Sequence, residues 1–352
     1  MSTMLADKPA ASRPADADPP LLEVRDLVKH FPIKGGLLGL QRGVVRAVDG
    51  VSFNLHAGET LGIVGESGCG KSTTARVIMH LIPPNSGTVR LAGKAPGVDL
   101  SLKAFRAQVQ MVFQDSYASL NPRLTVEESI AYGPSVHGLA GGEAIRRARR
   151  LLDRVGLDPV RFAGRYPHEL SGGQRQRVNI ARALALEPTI IVLDEAVSAL
   201  DKSVEAQVLN LLLDLKEDIG LTYIFISHDL EVVRFMANRV MVMYLGRVAE
   251  IGPTDAIYAR GRHPYAQALL GSMLSMDPDH RTEQAPLAGE PPNPIDPPPG
   301  CRFHTRCVMA EPLCATTTPA LMACGGDHAA ACHMADPQSG HSRAGMSSGN
   351  GR

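Results

Sequence analysis

Apolar and polar residues alternate along 21–27 and again along 44–55, the period-two pattern of half-buried antiparallel strands. A glycine-rich connection, Ile33 to Gly43, separates them. Leu61 to Val64 carries no polar side chain, as a strand buried on both faces should, and it runs into a glycine-rich loop. A helix is predicted from Lys71 to about Leu81, and a further strand over Val109 to Phe113. From about Asp115 to Ala185 the pattern lengthens to a helical period. Its Arg146, Arg147, Arg149, Arg150 and Arg154 read as a solvated helix face. Strands recur at 190–193, 222–226 and 240–244, and Val204 to Asp218 is apolar at helical spacing. Strands alternating with helices predict an α/β fold with a mainly parallel sheet, its ligand at the carboxyl ends of the strands.

Composition changes near residue 275, where Pro291-Pro292 and Pro297 to Pro299 precede a run of cysteines. The expected organisation is a main domain at 21–274, helical over about 115–185, and a small irregular domain at 275–335. Residues 1–20, rich in Ala, Asp and Pro, and 336–352, rich in Ser and Gly, are expected to be a disordered leader and tail. The leader lacks the apolar centre of a signal peptide. The longest apolar runs, such as Thr189 to Leu193 and Thr222 to Ile226, fall far below the roughly 20 residues of a membrane span. The chain therefore reads as cytoplasmic. Lys plus Arg equals Asp plus Glu at 36 each, which removes the long-range pull that nucleic acid or anionic lipid would exert; no nucleic-acid partner is expected.

Gly65 to Ser72 fits G-x-x-x-x-G-K-[ST] between a predicted strand and a predicted helix. Glycines let backbone N–H groups turn toward phosphates, and the helix N-terminus adds its positive end. Lys71 should reach the β- and γ-phosphates, and the Ser72 hydroxyl should bind Mg²⁺. Cys69 reads as a small residue suited to a tight loop. Ile190 to Leu193 ends in Asp194 and Glu195. The strand aims Asp194 at the metal, and Glu195 is placed to polarise the attacking water as general base. Gln114 follows one strand and can touch Mg²⁺ or that water; His228 follows another and could hold the γ-phosphate. Ser171-Gly172-Gly173-Gln174 is a second phosphate reader, a serine cap and two glycines opening a helix. It cannot share a pocket with the first. Such a chain should complete its site only by dimerising around ATP.

In this order the motifs resemble the ATPase subunits of the oligopeptide/dipeptide family of bacterial ABC importers, over about residues 21–335. The resemblance implies an ABC-type nucleotide-binding domain: a RecA-like parallel core, an antiparallel β subdomain and an α-helical subdomain bearing the signature. It implies that Gly65 to Thr73, with Gly65, Ser67, Gly68, Gly70, Lys71, Ser72 and Thr73, is the Walker A loop. Gln114 becomes the Q-loop, Asp194 and Glu195 the Walker B pair, Ser171 to Gln174 the signature and His228 the switch histidine. Ser198-Ala199-Leu200-Asp201 resembles the D-loop, with Asp201 at the nucleotide, and Phe31 the aromatic that stacks on adenine. Tyr117 to Arg123 would help form the groove for a coupling helix of the membrane subunits. Ser116, where the family has Pro, and Ala196-Val197, where it commonly has Pro-Thr, remove no ligand.

Of six cysteines, the five outside the loop (Cys301, Cys307, Cys314, Cys324 and Cys332) crowd the chain end, which in a reducing compartment reads as metal ligation sooner than disulfides. His263-Pro264-Tyr265, Gly289-Glu290-Pro291-Pro292 and Cys301-Arg302-Phe303-His304-Thr305-Arg306-Cys307 resemble the C-terminal extension of peptide-importer ATPases. Cys301, Cys307, Cys314 and Cys332 match that extension's four cysteines, which can hold a four-iron, four-sulfur cluster. Zinc, and thiols without metal, stay open; the absence of a C-x₂-C knuckle favours iron–sulfur. Cys324 is a bystander. The resemblance further implies a paralogous ATPase partner, the tail being most like the second of two such subunits. It also implies two transmembrane permease subunits, a solute-binding protein beyond them, and a peripheral position on the cytoplasmic face of the plasma membrane. Rival readings are an importer of nickel- or glutathione-like solutes, a soluble ABC ATPase unconnected with transport, and an iron–sulfur sensing module.

Overall fold

The computed structural model describes residues 19–35, 40–272, 289–290 and 292–345. The chain opens with an antiparallel layer, β1 (Leu22–Gly35), β2 (Leu40–Leu55) and β4 (Ser86–Leu91), ordered β2-β1-β4. Leu22, Val24, Val51, Phe53 and Val89 are buried there. The expected connection from Ile33 to Gly43 is corrected: pairing continues to Gly35 opposite Leu40, leaving only 36–39 outside the described residues. Register shifts between Val24 and Leu27, Leu27 and Val28, and Lys29 and His30 explain why alternation failed as a guide. Each shift moves the following side chains to the other face.

The second sheet is ordered β10-β11-β9-β8-β3-β7-β6-β5. Its strands are β3 (Thr60–Val64), β5 (Val109–Val112), β6 (Ile190–Asp194), β7 (Thr222–Ile226), β8 (Arg239–Tyr244), β9 (Arg247–Pro253), β10 (Met322–Gly325) and β11 (His328–Ala330). From β8 to β5 neighbouring strands are parallel, as predicted; β9, β11 and β10 add an antiparallel flank. Every residue of β3, β6 and β7 is buried, which their uninterrupted apolar runs demanded. The strand β4 escaped the sequence reading because four of its six residues are exposed.

Helices cover this sheet: α1 (Lys71–Ile78), α2 (Leu102–Gln108), α3 (Val126–Val136), α4 (Gly141–Arg154), α5 (Pro159–Phe162) and α6 (Gly172–Leu184). Then come α7 (Lys202–Ile219), α8 (Leu230–Met236), α9 (Thr254–Arg260), α10 (Pro264–Gly271) and α11 (Pro312–Thr316). The first helix stops short of Leu81 because His80 takes a left-handed backbone (φ 51°). The helical region begins at Val126, not near Asp115. Before it, the Asp115 carboxylate accepts from the Tyr117 and Ala118 N–H groups and the Asn121 carbonyl from Arg123 N–H. Such side-chain bonds compete with helix until Thr125 and Glu128 form a capping box. Ile130, Ala144, Ala148, Leu152 and Val178 make the core of this bundle. Arg146 and Arg150 pair with Glu143, Arg149 with Glu127 and Arg154 with Asp218, the solvated face expected; Arg147, less exposed, pairs with Glu187 and also reaches the Ala185 carbonyl. Among the described residues no helix is long and apolar enough to cross a membrane.

The cysteine-bearing segment is not a separate lobe. Its strand β11 extends the main sheet against β9, and the fully buried Glu250 accepts from the N–H groups of Arg262 (2.7 Å) and His263 (2.8 Å) and pairs with His328 (2.6 Å). Phe303 packs edge-on to Tyr244 at 5.4 Å and against Tyr265 at 5.3 Å. Burial lowers His263 to about 4, so its ring is neutral and Nδ1 accepts from Tyr265 N–H. The order extends past the expected boundary at 335. His341 is buried with its ring on the Met309 carbonyl, and Gly345 N–H donates to Met334. Residues 1–18 of the expected leader, 1–20, and the last residues, 346–352, lie outside the described residues. If the segment is one cooperative unit with the core, Phe303→Ala should lower the midpoint of a single urea transition. The expected loss is about 3–5 kcal/mol, the usual cost of emptying a buried Phe site. A separate early transition for the C-terminal segment would contradict this.

Candidate functional site

The parallel register decides which residues meet. Ile63 lies opposite Ile226, Asp194 opposite Ile226 and Val112 opposite Leu193. The turns after β3, β5, β6 and β7 therefore leave one edge together. They carry the loop 65–70, Gln114, the pair Asp194 and Glu195, and His228.

Within the loop, Gly70 (φ 106°) caps α1, and a Cβ there would come 2.1 Å from the Ala47 carbonyl oxygen of β2. Only glycine allows this turn and this approach. Cys69 is buried, and desolvation holds its thiol above its usual range; it is a packing residue, as expected. The Lys71 ammonium is buried and bonded to the carbonyls of Gly65 (2.8 Å) and Glu66 (3.1 Å). Ser72 Oγ donates to Asp194 Oδ1 at 2.7 Å. This hydroxyl and carboxylate are the hard oxygen donors that a small divalent cation takes. Burial raises the Asp194 carboxyl above its ordinary range, opposed by the Ser72 hydroxyl and by Arg76 and Lys71.

Glu195 has a left-handed backbone (φ 48°), uncommon for a non-glycine residue and of order 1 kcal/mol uphill. Its N–H donates to the Ile226 carbonyl (2.9 Å), which fixes the turn. Its carboxylate then accepts from Gln114 Nε2 at 2.8 Å and lies 3.5 Å from His228 Nδ1. Gln114 thus contacts the acid expected to be the base, not the Ser72–Asp194 pair.

The second motif is built elsewhere. Ser171 caps α6 in a reciprocal box with Gln174: Ser171 N–H donates to Gln174 Oε1 at 3.0 Å and Gln174 N–H to Ser171 Oγ at 3.4 Å. Gly172 and Gly173 face the turn that ends in Asp201, the N-cap of α7. A Cβ at Gly172 would meet Leu200 at 3.6 Å, and one at Gly173 would stand 2.3 Å from Val204 Cγ1. Phe31 lies apart on β1, opposite Val45 and about a third exposed, with the Lys29 ammonium 5.2 Å from its ring centre.

Cys301, Cys307, Cys314 and Cys332 line one small cavity with His304 and His333; Cys324, on β10, does not. Burial pushes Cys301 up to about 11 and Cys332 up to about 12, with neighbouring thiols adding to the rise. Backbone hydrogen bonding from Phe303, Met309 and Met334 works against that rise at Cys301, Cys307 and Cys332. Yet among the described residues no group of three or more His, Cys, Asp or Glu is set to hold a metal ion.

Two contacts to the loop escaped the sequence reading. Glu66 N–H donates to the Tyr265 hydroxyl (2.9 Å), and the Glu66 carboxylate receives Arg306. Both residues stood in the C-terminal motifs, but neither motif hinted at its target.

A parallel core with a glycine loop before a helix, two acids at a strand end and a distant serine-glycine helix cap defines an ABC-type ATPase. Residues 48–198 match the ABC transporter family and residues 249–314 the oligopeptide/dipeptide transporter C-terminal region. The chain is 50% identical to a probable peptide ABC transporter ATP-binding protein of Sinorhizobium fredii, covering 90% of each chain. It is 49% identical to the oligopeptide transport ATP-binding protein AppF of Bacillus subtilis (89% of this chain, 97% of that one). It is 45% identical to the dipeptide transport ATP-binding protein DppF of Escherichia coli (93% and 98%). A dimeric post-hydrolysis cassette, MJ0796 bound to ADP and phosphate, superposes with a TM-score of 0.58 at 31% identity, over 66% of this chain and 98% of that one. The chain belongs to the ATP-binding subunits of the oligopeptide/dipeptide ABC transporter family. It therefore binds and hydrolyses ATP with Mg²⁺ and works with membrane permease subunits.

The packing at Gly173 is testable without nucleotide. Gly173→Ala should destabilise the protein by about 1–3 kcal/mol, the usual cost of overpacking. Val204→Ala in the same chain should recover much of that loss in a urea titration.

Proposed function

We propose that this chain is the ATP-hydrolysing subunit of an importer of di- or oligopeptides, acting at the cytoplasmic face of a bacterial plasma membrane. The observation that carries the chemistry is the meeting of Ser72, Asp194, Glu195, Gln114 and His228 at one sheet edge. The backbone of Gly65 to Gly70 cradles the β- and γ-phosphates, and Lys71 exchanges the loop carbonyls for them. Thr73 and the N–H groups of the first turn of α1 complete the cradle. Ser72 and Asp194 would hold Mg²⁺, with Gln114 reaching the ion only by leaving Glu195, and the ion would neutralise charge on the phosphates. Glu195 takes the proton of the attacking water, its carboxylate aimed by Gln114 and His228. His228 is two-thirds exposed and free to turn to the γ-phosphate.

Ser171 and Asp201, both exposed, belong to a surface that a partner would cover. In a closed dimer they would meet the γ-phosphate held by the other subunit, and Phe31 would stack on adenine. The partner is a paralogous ATPase. Closure moves the loop after Gln114, Tyr117 to Arg123, against the permease pair, which receives the peptide from a solute-binding protein.

The four cysteines are proposed as ligands of a four-iron, four-sulfur cluster. The four cysteines line one cavity, and backbone hydrogen bonding at Cys301, Cys307 and Cys332 counters the rise that burial imposes, as thiolate ligands require. Bound there, the cluster would staple a segment with little apolar core of its own.

Glu195→Gln should keep ATP binding and lower turnover by about 10²–10⁴, the contribution of a general base; undiminished hydrolysis would remove Glu195 from that role. Pull-down in mild detergent should recover two multi-span proteins and a second ATPase; recovery of the chain alone from intact membranes would count against the importer. For the cysteines, anaerobically purified protein should contain iron and acid-labile sulfide, both lost in Cys332→Ser. Zinc or no metal in the wild type would refute the cluster.

A further inference from the structure

A carboxylate inside an anion-binding loop is a physical conflict. Glu66 directly follows Gly65, and its charge would repel a triphosphate seated on the neighbouring N–H groups. The fold resolves this from a distance of more than two hundred positions along the chain. Arg306, in the turn between Cys301 and Cys307, grips both Glu66 oxygens, with Nη1–Oε2 at 2.7 Å and Nη2–Oε1 at 3.0 Å. The Arg306 side chain is 5% exposed, and Nη1 also reaches the Tyr244 hydroxyl at 3.3 Å. It stands 6.0 Å from the ring centres of Tyr244 and Phe303. Tyr265, from α10, holds the Glu66 N–H. The acid is thus turned away from the mouth of the loop and neutralised by a buried bidentate partner.

We propose that Arg306 is a positioning residue of the ATP site, which cancels the Glu66 charge and holds it off the phosphates, making the C-terminal segment part of the nucleotide-binding apparatus. The proposal rests on reading 65–72 as the phosphate loop. It requires a guanidinium: lysine supplies the charge but only a single point of contact. It also places the defect of an Arg306 variant in ATP binding rather than in the chemical step, because Glu195, Gln114 and His228 stand on other elements.

The test is ATP titration of the full chain by calorimetry, with ATPase kinetics on the same preparations. Arg306→Ala should raise Kd and KM about tenfold with kcat within about twofold, and Arg306→Lys should fall between it and the wild type. Adding Glu66→Gln to Arg306→Ala should bring Kd back to within about threefold of the wild type, since no charge then needs cancelling. A merely structural pair would lose folding stability in Arg306→Ala and regain it in the double variant, while the Kd of the folded protein stayed unchanged. Should Arg306→Ala melt below the assay temperature, Arg306→Gln carries the same comparison. An unchanged Kd in Arg306→Ala, or a double variant as weak as the single, overturns the proposal. Failure of the wild type to bind ATP would instead remove the phosphate-loop reading beneath it.

Discussion

Asp194 ends a strand with no exposed residue, and its carboxylate is 1% exposed. An ion so placed loses most of its hydration and must find polar partners nearby. The Ser72 hydroxyl supplies one at 2.7 Å, and the buried Lys71 ammonium stands on the same first turn of α1. That turn exists because Gly70 can cap it against β2, and β2 is held there by the pairing of the antiparallel layer. The arrangement of strands β3, β6 and β7 follows the same constraint. With β7 between β3 and β6, Asp194 still reaches the hydroxyl on the first turn of α1.

The C-terminal segment meets the core through charge as well as through apolar packing. Asp49, on β2, accepts from Arg247 on β9 and from Arg302, and His30 Nε2 lies 2.8 Å away. Burial works against this carboxylate, yet Arg302, His30 and Arg247 hold it below its ordinary range. Arg302 is itself lowered to about 10 by burial and also donates to the Leu245 carbonyl. One acid therefore joins the antiparallel layer, the main sheet and the cysteine segment. Removing one partner of such a set leaves the others buried without compensation, so a single substitution here costs more than one at a surface pair. Glu66 and Arg306 repeat the device one turn further on, at the loop.

The cysteines present the reverse case. Four thiols share a cavity, and burial raises Cys301, Cys307 and Cys332 above the ordinary thiol range. Their backbone N–H neighbours suit thiolate sulfur, although the sulfurs are not grouped as a closed ligand set. The segment is nonetheless held in place by Phe303, Glu250 and His328, so its docking has an apolar and ionic basis independent of any metal.

Local chemistry was legible wherever a residue's role depends on its immediate neighbours. The loop at Gly65 to Ser72, the acids after Ile190 to Leu193, and the Ser171 cap were readable because a glycine turn, a buried run and a capping box are short-range features. So was the parallel core, since strands without polar side chains must be covered on both faces. The extent of β1 and β2 was not readable, because bulges move side chains between faces and erase alternation. Nor was the late start of α3, decided by Asp115 and Asn121 bonding their own backbone. The chain by itself marked residues whose local chemistry suits phosphate, metal and water. Tertiary structure alone decided that Gln114 and His228 meet at Glu195, that β11 completes the sheet, and that Arg306 answers Glu66. Those partners lie tens to hundreds of positions apart, and only the register of the sheet, set by the burial of whole strands, brings them within hydrogen-bond reach.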